Sequence, residues 1–229
     1  MTTPVPAVPP LLLRRLPGLT AYEPCVATMR EFTGLRGPET PDELWLLQHP
    51  PVYTLGLNSS PAHLLAAGTI PVVQTDRGGQ VTYHGPGQLV AYLLLDLQRA
   101  GLSIRQVVCA LEDAVIALVA AHGIRASARR EAPGVYVAGA KLASVGLRVR
   151  RGCTYHGLAL NVALDLLPFA GINPCGYPGL AVTSLQLLGG PADPDQVGTD
   201  FAAVLLSKLG LNAGAPVGAK TGATSTCRA

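Results

Sequence analysis

The strongest constraint on the fold is an apolar run at 89–97, closely followed by an amphipathic segment at 103–122. A continuous apolar run after a glycine-rich stretch is typical of a strand buried on both faces. In the second segment, Ser103 and Gln106 have the spacing of a helix capping box, and apolar residues recur at helical spacing. Gly123 stands where such a helix ends. The chain is therefore expected to pack a long helix against a covered sheet.

Shorter elements are predicted on both sides of this pair, and they do not alternate strictly between strand and helix. Grouped strands with a few flanking helices favour an α+β fold in a single domain, with a mixed or antiparallel sheet. The other expected elements are an edge strand at 11–15, a helix at 24–32, strands at 43–48, 52–55, 70–75, 135–137, 141–150 and 154–162, and a helix at 201–209.

The 229 residues are divided into one folded domain and two loose ends. We expect a proline-rich, flexible N-terminus at 1–10, a folded domain at 11–211, and a disordered tail rich in glycine, alanine and threonine at 212–229. No secretory signal and no membrane span are predicted, because the apolar runs are short or interrupted by acidic residues.

The composition excludes several classes of protein. The chain is 48% hydrophobic and 14% charged, which is typical of a globular protein and not of a disordered one. A net charge of +3 is too small to indicate a nucleic-acid binder, although an acidic protein partner is compatible with it. The five cysteines show no CxxC spacing, so a disulfide framework or a zinc site is not expected. Reduced thiols indicate a cytoplasmic protein.

Cys175 is the candidate nucleophile among the cysteines. It lies in Asn-Pro-Cys-Gly, a segment too rich in proline and glycine for a helix or a central strand, and a turn can present a thiol to a substrate. Cys25, Cys109 and Cys153 fit the ordinary reading of cysteine as a small buried apolar residue.

Lys141 is the candidate partner of this thiol. The chain has 17 lysine and arginine residues, but lysine occupies only positions 141, 208 and 220. Lysine can lose its proton when buried and arginine effectively cannot, so Lys141 marks a place where an amine is wanted. The ordinary alternative is a hairpin-end lysine that reaches into solvent. As an ammonium Lys141 would favour a thiolate, and as an amine it would take the thiol proton.

The segment RGGQVTYHGPGQ at 77–88 is the candidate wall of a pocket. Polar side chains crowd it beside an apolar strand, whereas an isolated Gly-Gly would read as a hairpin turn. It matches neither the phosphate loop nor the dinucleotide-binding glycine pattern. His84 in this segment, or His156 in a later glycine-flanked strand, offers a Cys–His pair as an alternative to Cys–Lys. His49 and His63 are interpreted as structural.

These motifs, in this order, resemble the lipoyl(octanoyl) transferases, also called octanoyl-[acyl-carrier-protein]:protein N-octanoyltransferases. The resemblance extends from about Leu46 to Leu185. It is carried by HPPVYTLG (49–56), DRGGQVTYHGPGQLVAY (76–92), GVYV, GAKLAS and GLRVRRG (within 134–152), HGLALNV (156–162), and NPCG and VTSL (within 173–185).

The resemblance implies a reaction, its partners and its residues. An octanoyl group would move from octanoyl-acyl carrier protein, through a cysteine thioester, to a lysine of lipoyl domains in 2-oxoacid dehydrogenases and the glycine cleavage H protein. No cofactor, metal, nucleic acid or membrane is implied, and the fold would be that of lipoate and biotin protein ligases. The implied catalytic residues are Cys175 and Lys141, and the implied substrate-binding residues are Arg77, Gly78, Gly79, Gln80, Val81, Thr82, Tyr83, His84, Ser144, Val145, Gly146, Gly157, Leu158 and Ala159.

Three other functions remain open from the residues. The first is an ATP-dependent lipoate or biotin protein ligase on the same fold, which needs an adenylate site and no covalent cysteine. The second is a Cys–His hydrolase that releases free octanoate. The third is a non-catalytic module that binds acyl carrier protein, in which Cys175 would be dispensable.

Overall fold

The structure, a computed structural model, describes residues 10–212. Apart from Pro10 and Asn212, the ends expected to lack fixed structure, 1–10 and 212–229, lie outside the described residues. No helix within the described part of the chain is long and apolar enough to cross a bilayer.

The strands form two sheets. Their bounds are β1 (Leu12–Leu19), β2 (Glu43–Gln48), β3 (Val52–Leu55), β4 (Val72–Gln74), β5 (Val81–His84), β6 (Gln88–Leu94), β7 (Ser127–Ala128), β8 (Gly134–Val137), β9 (Ala140–Arg150) and β10 (Cys153–Asn161). The large sheet has the order β1-β2-β6-β10-β9-β8-β7, and the small one has the order β4-β3-β5. Only the β1–β2 and β3–β4 pairs are parallel among these strands. The mixed sheet and the α+β class are therefore as predicted.

The apolar run forms β6, which is buried at every position, as expected. Its side chains alternate between two cores, because successive residues of a strand face opposite sides. Leu89, Ala91 and Leu93 pack into the core under helices α3 (Ile104–Ala120) and α4 (Pro194–Leu209). Val90, Tyr92 and Leu94 pack into the core under helix α1 (Tyr22–Leu35). A short helix α2 (Leu97–Ala100) links β6 to α3.

The capping box predicted at the start of α3 is confirmed. Ser103 and Gln106 make both reciprocal hydrogen bonds at its N-terminus, and Gly123 follows its end with φ +75°.

The small sheet covers the edge of the face of the large sheet on which α1 packs. Its own core contains Tyr53, Tyr83 and Phe169.

Two helices begin earlier in the structure than in the sequence prediction. The helix predicted at 24–32 begins at Tyr22, and the one predicted at 201–209 begins at Pro194. The missed half of α4 contains Gly198, which lowers helix propensity. A Cβ at Gly198 would lie 3.1 Å from Leu89 Cδ1, so this glycine allows α4 to pack closely on β6. Asp193 caps the helix by accepting a hydrogen bond from the Asp195 N–H.

Replacement of Gly87, in the turn between β5 and β6, is predicted to destabilise the fold strongly. It has φ +87°, and a Cβ would lie 2.4 Å from the Ala163 carbonyl oxygen. Gly68 has φ +57° with no atom within 4 Å of a Cβ, so Gly68→Ala is a matched control for the backbone strain alone. We expect urea unfolding to give a loss of about 1 kcal/mol for Gly68→Ala and at least about 3 kcal/mol for Gly87→Ala. Equal losses in the two variants would contradict a steric role for Gly87.

Candidate active site

The structure brings Lys141 and Cys175 into direct contact. Lys141 Nζ lies 2.7 Å from Cys175 Sγ and donates a second hydrogen bond to the Pro133 carbonyl at 3.1 Å. The contact spans 34 positions of sequence. Lys141 is only 2% exposed, so the alternative of a solvent-reaching hairpin lysine is wrong. The backbone of Lys141 bonds to the segment after the cysteine turn, because its N–H donates to Ala181 O and its carbonyl accepts from the Thr183 N–H.

Cys175 occupies a strained position in a tight turn. It lies within a single 3-10 turn, Pro174–Gly176, and itself has φ +55° and ψ +19°, which is unusual for a residue with a side chain. Asn173 anchors the turn by donating its N–H to the His63 carbonyl at 2.8 Å. Strained backbone of this kind persists only where the surroundings hold it, and it is concentrated at functional sites.

The other cysteines differ from one another in exposure. Cys25 and Cys153 are buried, as the ordinary reading requires, and burial raises the pKa of Cys25 to about 12. Cys109 is exposed on α3, so the expectation that it is a buried apolar residue is wrong. Cys109 is adjacent in sequence to the apolar stripe of α3, but it does not belong to the buried face of that helix.

The burial of the Lys141 side chain depends on residues that the sequence analysis did not single out. Gly134 leaves room for it, because a Cβ there would lie 2.8 Å from Lys141 Cε. The ring of Tyr136 lies 5.2 Å from Nζ, within the range of a cation–π interaction. Glu112 fixes this region by accepting a hydrogen bond from the Gly134 N–H at 2.7 Å. The only sequence signal for Glu112 is an acidic residue that interrupts an apolar helix face.

A cavity extends from Cys175 between the large sheet and the 77–84 segment. It contains about 480 Å³ of space free of protein atoms, counting its open mouth. Every implied substrate-binding residue lines it except Gly78, which lines an adjoining outer groove, and Tyr83, which packs against Tyr53 and Phe169 on the other side of β5. Tyr22, Val90, Tyr92 and His156 also line the cavity.

Arg77 holds the glycine segment in place. Its buried guanidinium donates hydrogen bonds to Thr54 O and Thr54 Oγ1, both at 2.7 Å, to Gly78 O at 3.0 Å and to Gln80 O at 2.8 Å. No carboxylate among the described residues pairs with it. A Cβ at Gly56 would lie 2.8 Å from Arg77 Nη1, so this glycine makes room for the guanidinium.

A chain of buried hydrogen bonds joins the two sheets behind the cavity. The NH2 group of Gln88 donates a hydrogen bond to Asn161 Oδ1 at 3.0 Å. The other amide atom of Gln88, Oε1, therefore accepts the hydrogen bond from His84 Nδ1 at 2.7 Å. Asn161 Nδ2 donates to the Thr183 carbonyl at 2.9 Å. Thr54 Oγ1 lies 3.4 Å from His84 Nε2 and completes the link to Arg77. Both His84 nitrogens are therefore occupied away from Cys175.

His156 is held by an acidic partner and not by the cysteine. Its Nε2 lies 3.0 Å from Asp76 Oδ1, and Asp76 also accepts hydrogen bonds from Arg30 at 3.1 Å and Tyr155 at 2.5 Å. Partial burial alone would raise the pKa of Asp76, but the hydrogen bonds from His156, Arg30 and Tyr155 hold it far below its usual value. The geometry therefore favours a Cys–Lys pair over either Cys–His pair.

Two buried histidines, His84 and His156, line the cavity, a third, His49, bonds to Tyr92 in its wall, and burial favours the neutral form of all three. Burial lowers the pKa of His49 to about 4 and lowers the pKa of His84 well below its usual value, with the nearby charges of His49 and Arg77 acting in the same direction. Burial also lowers the pKa of His156, against the opposing effect of Asp76. Because His49 Nδ1 lies 2.5 Å from the Thr20 carbonyl, it carries the proton, and Nε2 accepts from Tyr92 at 2.7 Å.

The chain matches a family model described as the lipoyl protein ligase A/B catalytic domain over residues 22–206. It is 59% identical to an octanoyltransferase of Methylococcus capsulatus over 198 residues, covering 86% of this chain and 96% of that one. It is 60% identical to an octanoyltransferase of Alkalilimnicola ehrlichii over 185 residues, covering 81% and 86%.

The fold is similar to those of solved ligases. A lipoate-protein ligase A structure with bound ATP gives a TM-score of 0.69 at 15% identity and covers 93% of this chain and 90% of that one. An apo biotin protein ligase from Aquifex aeolicus gives 0.52 at 14% identity and covers 88% and 69%. At these identities the likeness establishes the fold alone, and it is the ligase fold expected from the sequence.

The buried neutral histidines predict that acid weakens the fold. An imidazole with a lowered folded pKa contributes full stability above its unfolded pKa of about 6.5, and that stability is lost as the pH falls toward the folded value, by about 1.4 kcal/mol per unit for each group. We expect urea unfolding to show a loss of roughly 2–5 kcal/mol between pH 7 and pH 5. In His49→Gln, unfolding should take up about one proton fewer in this pH range, so the free energy of unfolding should fall less steeply with pH. A flat profile would contradict neutral histidines at these positions.

Proposed function

The chain belongs to the lipoyl protein ligase A/B catalytic-domain family, and within it to the octanoyltransferases, and we propose that it transfers octanoyl groups through a thioester on Cys175. It is an acyltransferase of lipoate biosynthesis. The observation that carries the thioester proposal is the 2.7 Å contact between Lys141 Nζ and Cys175 Sγ at the opening of the cavity. A thiol nucleophile beside a group that manages its proton divides one difficult transfer into two easier steps.

In the first step, the Cys175 thiolate attacks the thioester carbonyl of octanoyl-acyl carrier protein. The bond from the carbonyl carbon to the carrier's phosphopantetheine sulfur breaks, and that sulfur takes the proton that Lys141 held as an ammonium. The products are an octanoyl thioester on Cys175, a free carrier thiol and a neutral Lys141. Exchange of one thioester for another is nearly balanced in energy, so this step needs no further driving force.

In the second step, a neutral lysine amine of the acceptor attacks the octanoyl thioester. An amide bond forms, the bond to Cys175 breaks, and Cys175 leaves as a thiolate. The proton lost by the acceptor nitrogen passes to Lys141, which restores the starting pair. Conversion of a thioester to an amide is downhill, so no ATP is consumed.

The cavity and the outer groove suit these two steps. The acyl chain is apolar and takes the cavity, where Val90, Leu158 and Ala159 supply apolar walls. Cys175 also lines the outer groove, together with Asn58, Ile104 and Tyr177. A groove that meets the thiol from outside gives both the carrier arm and the acceptor lysine a route to the same sulfur.

The finer assignments belong to the same proposal. The donor is octanoyl-acyl carrier protein, and the acceptors are the lipoyl domains of 2-oxoacid dehydrogenases and the glycine cleavage H protein. The catalytic unit is 11–211. A free catalytic thiol requires a reducing compartment, which supports the cytoplasm as its location.

The alternatives differ in what they require of Cys175 and of nucleotide. A ligase would need ATP and no acyl-cysteine, a hydrolase would release octanoate, and a binding module would leave the donor thioester intact. A single assay without nucleotide, which follows acyl-enzyme and product together, therefore separates them from the transferase mechanism.

Cys175→Ala is expected to abolish both acyl-enzyme formation and transfer, because the nucleophile is gone. Cys109→Ala and Cys153→Ala are the controls, and we expect each to retain most of the activity. Intact mass after mixing with octanoyl-acyl carrier protein, without nucleotide, detects the acyl-enzyme. Isolated acyl-enzyme should then pass its octanoyl group to an apo lipoyl domain. An acyl-enzyme that is inert toward the acceptor, or loss of activity only in another cysteine variant, would refute the mechanism.

Lys141→Arg is expected to impair the second step almost as severely as Lys141→Ala. Arginine keeps the positive charge but cannot give up its proton, and general acid–base help is typically worth roughly 10²–10⁴ in rate. Single-turnover transfer from pre-formed acyl-enzyme measures this step alone. Lys208→Arg, at an exposed position in the last turn of α4, is the matched control. Transfer within a few-fold of wild type in Lys141→Arg would show that Lys141 acts through its charge only.

A further inference from the structure

Glu112 is the only charged side chain on the buried face of α3. It is 7% exposed, and the other buried residues of that helix are Val107, Ala110, Leu111, Ala114, Val115, Leu118 and Val119. No salt bridge among the described residues includes Glu112. A buried carboxylate without a cation in contact costs free energy. The thioester mechanism leaves this carboxylate without a role.

The hydrogen bonds of Glu112 lead to Lys141 through one peptide unit. Oε1 of Glu112 accepts a hydrogen bond from the Gly134 N–H at 2.7 Å. The carbonyl of the same peptide unit, that of Pro133, accepts from Lys141 Nζ at 3.1 Å and also lies 3.5 Å from the Val145 nitrogen. The Pro133–Gly134 peptide therefore stands between the amine and the carboxylate, and we call this series the peptide relay.

The two bonds of the peptide relay act on Lys141 in the same direction. Resonance couples the N–H and the carbonyl of a peptide, so a negative charge at the N–H makes the carbonyl oxygen a stronger acceptor. Hydrogen bonds in series strengthen one another by about 10–30% each. Along this path Lys141 Nζ and Glu112 Oε1 are at most about 8 Å apart. At that separation the carboxylate also attracts an ammonium directly.

Gly134 allows the amine to reach the peptide. A Cβ on Gly134 would lie 2.8 Å from Lys141 Cε and 3.1 Å from Nζ, so no larger residue fits beside the lysine. Its φ of +143° is also rarely adopted by residues with a side chain. The peptide relay thus depends on a local backbone geometry that the chain maintains at this point.

The other groups around Lys141 do not duplicate the charge of Glu112. Cys175 Sγ lies 2.7 Å from Nζ and is the reacting group itself. The ring of Tyr136 lies 5.2 Å from Nζ, and Arg129, a cation, lies 4.3 Å from the same ring. Glu112 therefore supplies a negative charge that none of these three residues provides as a carboxylate.

The carboxylate form of Glu112 is a cost to the fold. Burial raises the pKa of Glu112 and the charge of Asp113 acts in the same direction, whereas the Gly134 N–H and the charge of Lys141 lower it. A carboxyl group with a raised folded pKa contributes stability at low pH, and that contribution is lost as the pH rises through the folded value. Removal of the charge should therefore not weaken the fold at neutral pH.

We propose that Glu112 is a positioning residue for acyl transfer, whose carboxylate favours and orients the ammonium form of Lys141 through the Pro133–Gly134 peptide. The amine of the acyl-enzyme is thereby a stronger base toward the acceptor nitrogen, and the proton it takes is held beside the departing Cys175 thiolate. The carboxylate makes and breaks no covalent bond. This inference rests on the proposed function, because it takes Lys141 as the carrier of that proton.

The test reads the charge of Lys141 directly. The full chain has lysine only at positions 141, 208 and 220, so protein labelled with 13C at lysine Cε gives three signals in an NMR titration. Lys141→Arg identifies the signal of interest by its loss. The titration is made in Cys175→Ala, in which no thiol titrates beside the amine.

Glu112→Gln keeps an oxygen that accepts from the Gly134 N–H and removes only the charge. In the Cys175→Ala protein we expect it to move the midpoint of the Lys141 signal to lower pH by about one unit or more. Asp113→Asn is the matched control, since it removes a carboxylate from the adjacent, exposed position of α3. Solvent screens that charge, so the midpoint should stay within about 0.3 unit.

The same substitution has a kinetic consequence when Cys175 is present. Single-turnover transfer from pre-formed octanoyl-enzyme to an apo lipoyl domain should be roughly 3- to 30-fold slower in Glu112→Gln, because a weaker base accepts the proton. The acceptor concentration at half-maximal rate should stay within about twofold, since Glu112 is remote from the acceptor's route. Urea unfolding should show a midpoint no lower than that of wild type.

An independent measurement uses the reciprocity of the two charges. If Glu112 favours the ammonium of Lys141, then that ammonium must lower the pKa of Glu112 to the same extent. In Lys141→Met, titration of a 13C-labelled Glu112 carboxyl should therefore show a raised pKa relative to wild type. This arm tests the coupling without any change at Glu112.

Four results would overturn the proposal. They are an unmoved Lys141 midpoint in Glu112→Gln, an equal shift in Asp113→Asn, an unchanged Glu112 carboxyl in Lys141→Met, and a Glu112→Gln protein that unfolds at lower urea than wild type, which would make the residue structural. Failure of the thioester mechanism is recognised separately, because it appears as an absence of octanoyl on Cys175 in the wild-type enzyme while the NMR shifts remain.

Discussion

The burial of Lys141 beside Cys175 is the constraint on which the rest of the site depends. An amine that is 2% exposed is costly unless its hydrogens find partners. Here the partners are the Cys175 sulfur and the Pro133 carbonyl, with the face of Tyr136 close by. Two of these partners come from the β8 segment and the third from the cysteine turn, and Gly134 leaves the space in which the lysine lies. The contact can form only when the β8–β9 hairpin and the cysteine turn are both in place.

The second requirement is a fixed distance between the small sheet and the large one, since the cavity next to Cys175 lies between them. The buried series of hydrogen bonds from Arg77 through Thr54, His84 and Gln88 to Asn161 provides it. Asn161 then bonds to Thr183, whose own N–H bonds to the Lys141 carbonyl. Buried polar networks of this kind are rigid when every member is satisfied. The wall of the cavity and Lys141 are thereby held in fixed positions relative to each other.

Much of the fold followed from local pattern. The apolar run that forms β6, the capping box of α3 and the strand at Glu43–Gln48 were predictable because burial and capping act on neighbouring residues. The first half of α4 was not, since Gly198 lowers local helix propensity and is explained only by its contact with Leu89. The exposure of Cys109 was also missed, because the spacing of a helix stripe does not fix which neighbours cover its edge.

For the site, the sequence by itself determined the chemical groups: a thiol on a turn, a rare lysine, and a polar glycine segment beside an apolar strand. Only the tertiary structure decided which of them meet. In the folded protein Lys141 contacts Cys175, and Arg77 bonds to Thr54 and to the glycine segment. Tyr83 packs on the side of β5 away from the cavity, and His156 bonds to Asp76. The physical reason is that these contacts link distant segments, and strand register and backbone packing bring such segments together. Neither is encoded in any short stretch of the chain.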